Sequence, residues 1–109
     1  MVKIDKVTNV ITATRGDTIV FRPTLTLDGV EYVPEDGDVI RFALKRDEED
    51  SVPYIRKVIP HDTMVCVIEP ADTKELDYGT YRYDVELTTA AGFVITFISS
   101  KIKLTWEAD

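Results

Sequence analysis

One cysteine and one histidine are all that this chain of 109 residues holds of the two side chains most often used for metal and nucleophile chemistry. A lone Cys66 cannot close an internal disulfide, so the fold must be held by its core, and nothing ties it to an oxidising compartment. Cys66 and His61 together cannot complete a zinc site. A nucleophile needs a base beside it, yet His61 sits in a Pro60-His61-Asp62 turn and no Gly-x-Ser-x-Gly elbow occurs. His61 therefore reads as a loop residue. Cys66, alternating with Met64 and Ile68, reads as a buried structural thiol. The five glycines are isolated, which leaves no glycine-rich loop to cradle a phosphate. Positive charge is scarce as well. Thirteen Lys and Arg stand against 20 Asp and Glu, for a net charge of −7 and a pI near 4.6. That balance argues against nucleic acid and against anionic membrane surfaces as partners. No segment approaches the ~20 apolar residues of a membrane span, and Met1 to Lys6 lack an apolar run of signal-peptide length. The chain reads as made in a cytoplasm.

What is present is a β pattern. With 44% hydrophobic residues, one domain over 1–109 can bury a core without staples; residues 1–8 read as a loose N-terminal arm. Turn signals recur about every ten residues, the rhythm of a sandwich or barrel. Tyr81, Tyr83, Val85 and Leu87 alternate with Arg82, Asp84, Glu86 and Thr88, the period of a half-buried strand. The preceding Asp77-x-Gly79-x-Tyr81 has the spacing of a tyrosine corner, in which the Tyr hydroxyl bonds to backbone just upstream. Further strands are expected over Asn9–Thr14, Thr18–Leu27, Val30–Val33, Asp38–Lys45, Pro53–Ile59 and Met64–Glu69. Pro23, which has no N–H for a ladder, implies an edge or a bulge in the second of these. The segments on either side of Pro60-His61-Asp62-Thr63 are expected to pair. Pro70–Leu76 can form one helical turn, with Pro70 acceptable at its start. Phe93–Ile98 is apolar on both faces, and Ile102, Leu104 and Trp106 continue in the even register. Two arrangements satisfy that pattern: a bulge near Ser99-Ser100, or an apolar face that meets another subunit. Phe93, Ile95, Phe97 and Trp106 are the candidate interface residues, since buried aromatics anchor contacts.

The remaining motifs have ordinary explanations. Glu35, Asp36 and Asp38 surround a turn, with Asp36-Gly37 as the bend and Asp38 capping it. The run Asp47-Glu48-Glu49-Asp50 reads as a solvated hairpin tip rather than a calcium loop. No aromatic-lined cleft with paired acids is suggested, so glycosidase chemistry is not expected. Arg15-Gly16-Asp17 reads as a turn feeding a strand, not as an adhesion motif. No catalytic, cofactor-binding or metal-binding residue is assigned, and the chain is expected not to be an enzyme.

Four segments carry a resemblance: Arg15-Gly16-Asp17-Thr18-x-x-Phe21; Gly37-Asp38-x-Ile40-x-Phe42; Asp72-Thr73-x-x-Leu76-x-Tyr78-Gly79-x-Tyr81-x-Tyr83-Asp84-Val85; and Gly92-x-x-x-Thr96. Their spread, from about Thr14 to Trp106, resembles the small immunoglobulin-like β-sandwich proteins of phage and prophage tails from Gram-positive bacteria, of the baseplate upper protein type. The resemblance implies an antiparallel sandwich of about seven to nine strands and a structural role in the virion. It implies partners among other phage structural proteins, or self-association into a homo-oligomer; no cofactor is expected, and the acidic balance already speaks against nucleic acid and membrane. It offers no catalytic residues to carry over. The chain stops soon after the sandwich and has no long helical region, which favours an adaptor, decoration or assembly role over host recognition. On this reading the protein is made in a bacterial cytoplasm and becomes virion-associated. The alternative reading is a binding module of a bacterial surface or carbohydrate-recognising protein, with Tyr32 and Tyr54 as the glycan contacts.

Overall fold

A computed structural model describes residues 2–46 and 53–106. They form ten strands and one short helix: β1 (Val2–Ile4), β2 (Ile11–Thr14), β3 (Ile19–Phe21), β4 (Thr26–Leu27), β5 (Val30–Glu31), β6 (Val39–Lys45), β7 (Ile55–Ile59), β8 (Cys66–Ile68), α1 (Pro70–Lys74), β9 (Gly79–Thr88) and β10 (Val94–Thr105). The chain is all-β, as its alternation predicts. Six strands make one sheet in the order β1-β2-β10-β9-β6-β7, and β3-β8 and β4-β5 form two-stranded sheets. The pairing is not wholly antiparallel, because β2 runs parallel to β10, from Ile11 beside Ile102 to Thr14 beside Thr105.

Period-two burial explains why these segments are strands. Along β9 the residues Tyr81, Tyr83, Val85 and Leu87 are buried while Arg82 and Asp84 between them are exposed. Ile40, Phe42 and Leu44 of β6 lie directly opposite Leu87, Val85 and Tyr83, so adjacent strands present the same apolar face. Ile19 and Phe21 of β3, Leu25, and Cys66 and Ile68 of β8 join this single core. Phe42 stacks on Tyr83 at 5.2 Å between ring centres, and Phe21 meets the same ring edge-on at 5.7 Å.

Three expectations need correction. The segment Thr18–Leu27 is not one strand. It stops at Phe21, and Pro23 is buried in the crossing that leads to β4, since a residue without an N–H interrupts the ladder outright. The segments around Pro60-His61-Asp62-Thr63 do not pair with each other: β7 pairs with β6, and β8 pairs with β3 in a different sheet. Met64, at φ 53°, turns the chain there, with its N–H bonded to the Pro60 carbonyl at 2.8 Å. The supposed loose arm is tied down. Val2–Ile4 pair with β2, the Asp5 carboxylate accepts the N–H groups of Val7 and Thr8, and the Ser100 hydroxyl donates to the Thr8 carbonyl at 2.8 Å. The backbone bonds also hold the Asp5 carboxyl below its usual pKa.

Candidate functional site

The corner is built from backbone upward. Gly79 holds φ 135°, a value side chains resist, and the strand that it opens carries Tyr81 into the core. The Tyr81 hydroxyl donates to the Asp77 carbonyl at 2.8 Å, the bond expected from the spacing. Arg46 covers the ring at 4.9 Å, and Tyr54 meets it edge-on. Two residues on, the Tyr83 hydroxyl donates to the Asn9 carbonyl, fastening the β1–β2 connection to the core. Burial pushes the Tyr83 phenol up to about 12. Arg15-Gly16-Asp17 is consumed in the same way: Arg15 donates to the Leu76 carbonyl and covers the Tyr78 ring, while the Gly16 N–H bonds the Thr73 hydroxyl at 2.9 Å. Thr73 sits on α1, whose start is closed by Pro70 and by reciprocal bonds between Glu69 and Asp72. Asp72 also pairs with Lys57 at 2.7 Å. Desolvation raises the Asp72 pKa, but the bonds from Lys57 and the Glu69 N–H outweigh it and leave the carboxyl below its ordinary value.

The four candidate interface residues do not form one patch. A bulge resolves the two-sided strand: β10 pairs Thr96 with Glu86 and Ile98 with Val85, leaving Phe97 as the extra residue. It falls at Phe97, slightly before Ser99-Ser100. Upstream of it the odd residues face inward, with Ile95 opposite Leu87; downstream the even ones do, from Ile98 to Leu104. Phe97 packs on Tyr32, ring centres 5.4 Å apart, and Ile95 is half-buried. Phe93 and Trp106 remain 73% and 71% exposed. They stand at opposite ends of a twelve-residue strand, roughly 36 Å from end to end at about 3.3 Å per residue.

The other face of the six-stranded sheet carries a feature that the sequence reading missed. The registers bring its outward side chains into rows. In one row Lys101, Arg82 and Lys45 lie side by side on β10, β9 and β6. In the next, Lys3, Thr12 and Lys103 align on β1, β2 and β10. Arg41 on β6 and Arg56 on β7 share this face, so it holds seven of the chain's 13 basic residues. Among the described residues of the paired registers, Asp84 and Glu86 are the acids on it. Ala43 is small and leaves a shallow hollow of about 390 Å³ among Arg41, Lys45, Arg56, Asp84 and Glu86. Like charges directly opposite on neighbouring strands destabilise a sheet, by roughly 0.2–1 kcal/mol per pair. The signal was available: it is the sum of the outward positions of the predicted strands, hidden by the acidic total. Along β9 the face changes character, from the Arg82 row to one where Val39 and Val94 flank Thr88.

The remaining titratable groups are dispersed. His61 Nε2 lies 2.9 Å from Asp36 Oδ1 on the surface. Asp38 accepts from the Tyr32 hydroxyl and from the Glu35 N–H, each at 3.0 Å, which caps the turn and raises the Tyr32 phenol. Tyr32 is thereby committed between Asp38 and Phe97, whereas Tyr54 stays 53% exposed. Cys66 is buried, and desolvation lifts its thiol to about 11. Among the described residues no three His, Cys, Asp or Glu converge on a metal position. The run Asp47-Glu48-Glu49-Asp50 lies outside the described residues. Comparison with protein families, curated proteins and solved structures finds no match.

Proposed function

We propose that this chain is a non-enzymatic structural component of a phage or prophage virion, a tail or baseplate adaptor that works through protein–protein contacts. On this reading the core described above is that of an immunoglobulin-like sandwich, with the large sheet as one layer and β3-β8 as part of the other. The observation that carries the proposal is the pair of apolar tips on β10. Phe93 with Val94 at one end and Trp106 at the other are held out at the two ends of one continuous strand. Exposed aromatic and aliphatic side chains of this kind anchor interfaces. The tyrosine corner and the hydroxyls of Tyr83, Thr73 and Ser100 spend their bonding on backbone, consistent with a scaffold whose polar groups hold it together. The test is genetic and biochemical. Capsid, tail and lysis genes should neighbour this one, and particles from a deletion strain should lack a tail substructure that the purified chain restores. Phe93→Ser and Trp106→Ser should each abolish that restoration. Complete, infectious particles from the deletion strain would remove the reading.

A further inference from the structure

We infer that Asp28-Gly29, at the tip of the β4–β5 hairpin, is a site of spontaneous backbone modification, where the folded chain converts aspartate through a succinimide into isoaspartate. Two of the five glycines follow an Asp, at Asp28-Gly29 and at Asp36-Gly37. A glycine offers its N–H to the preceding carboxyl with no Cβ in the way, so local chemistry treats the two pairs alike. The fold does not.

The first pair sits on a ribbon that little holds shut. β4 and β5 have two residues each, Thr26 opposite Glu31 and Leu27 opposite Val30, and all four are exposed. Beneath them the Tyr32 N–H is fixed to the carbonyl of the buried Leu25 at 2.7 Å. Above that rung the hairpin buries no side chain, and a two-stranded ribbon of this size opens at little cost. Among the described residues beyond its chain neighbours, none lies within 4 Å of a Cβ placed on Gly29. While closed, Asp28 at φ 52° and Gly29 at φ 80° form the left-handed pair of a tight turn. Opening frees both dihedrals and lets the carboxyl swing onto the Gly29 nitrogen. The second pair is held. The Asp36 carboxylate lies 2.9 Å from His61, and a Cβ on Gly37 would meet Ala90 at 3.0 Å. The Asp38 N–H closes that turn on the Glu35 carbonyl, while the Asp38 carboxylate accepts the Glu35 N–H.

The reaction needs only water. The Gly29 nitrogen attacks Cγ of Asp28 and forms a C–N bond that closes the succinimide ring, while the carboxyl hydroxyl leaves with the amide proton as water. A second water then opens the ring at either carbonyl. Cleavage at the side-chain carbonyl restores Asp28. Cleavage at the main-chain carbonyl routes the chain through Cγ and leaves the former main-chain carbonyl as a free carboxylate. Nothing is oxidised or reduced, and mass is unchanged. The extra main-chain carbon lengthens a tight loop whose length fixes the hairpin register. The Leu27–Val30 and Thr26–Glu31 pairs are therefore lost, while the six-stranded sheet keeps its own. The inference does not depend on the adaptor role.

Ageing the full chain in warm neutral buffer tests it. Isoaspartate is counted with an isoaspartyl carboxyl methyltransferase and a labelled methyl donor, and located by peptide mapping. It should accumulate several-fold faster at Asp28 than at Asp36. In concentrated urea the two sites should age alike, because the difference lies in the fold. Asp28→Glu, whose longer side chain disfavours the ring, should remove most of the methyl acceptance of the aged native chain, whereas Asp36→Glu should keep it. Both positions are exposed, so each variant should keep the wild-type circular dichroism spectrum; if one misfolds, the mapped wild-type sites read the same comparison. Equal rates at the two sites in the native chain, faster ageing at Asp36, or a preference for Asp28 that persists in urea would each overturn it. So would native Asp28 that stays unmodified while the chain in urea ages, or Asp28→Glu that accepts methyl groups like wild type.

Discussion

The two faces of the six-stranded sheet are built from the same strands and obey opposite rules. On β9 the inward side chains Tyr81, Tyr83, Val85 and Leu87 are packed ring against ring and aliphatic against aliphatic, and their hydroxyls find backbone partners. The outward neighbours, one residue away in each case, set Arg82 between Lys101 and Lys45. The inner face is arranged for cohesion. The outer one is polar and sets basic side chains in neighbouring positions. What folds the chain and what the chain offers to others are therefore read from alternate residues of one segment.

Substitutions can break or sharpen that contrast. Phe42 is fully buried, so Phe42→Ala should cost about 3–5 kcal/mol in urea denaturation. Arg41→Ala, its neighbour on the other face, should stay within about 0.5 kcal/mol. Equal effects would erase the distinction between faces. Cys66 extends it to pH. Its folded pKa, about 11, lies above the ordinary 9.0, so the stability that its neutral form contributes is fully present below pH 9 and is lost as pH rises toward 11. A two-unit rise corresponds to roughly 2–3 kcal/mol, and Cys66→Ala should flatten the stability profile across that window. Gly79→Val should cost about 1–3 kcal/mol, because a side chain there meets φ 135° and a Cβ would come within 3.3 Å of Arg46; an unchanged midpoint would remove the corner from the account. The smallest effect has the opposite sign. Lys101→Glu, placed opposite Arg82, should stabilise the monomer by roughly 0.2–1 kcal/mol at low salt and lose that gain at high salt.

Much of this was legible in the chain itself. The alternation from Tyr81 to Thr88 and from Ile40 to Lys45 announced the strands, and Asp77-x-Gly79-x-Tyr81 announced the corner, because both are local patterns. The failures were non-local. Nothing near Pro60 reveals that β8 leaves for another sheet, since that depends on which edge β3 offers it. The bulge was foreseen in kind but not at Phe97, which packs on the Tyr32 ring from a distant part of the chain. The basic face was invisible to a net charge of −7 because it assembles only when β1, β10, β9, β6 and β7 are set side by side.

The parallel seam between β2 and β10 has a mechanical consequence. A pull applied upstream of β2 and downstream of β10 acts along both strands in opposite senses. The ladder joining Ile11–Thr14 to Ile102–Thr105 is then loaded in shear, so its bonds must yield together, whereas a hairpin such as β1–β2 would peel open one bond at a time. Stretched this way, the domain should give at a high force set by its unfolding rate rather than by its equilibrium stability.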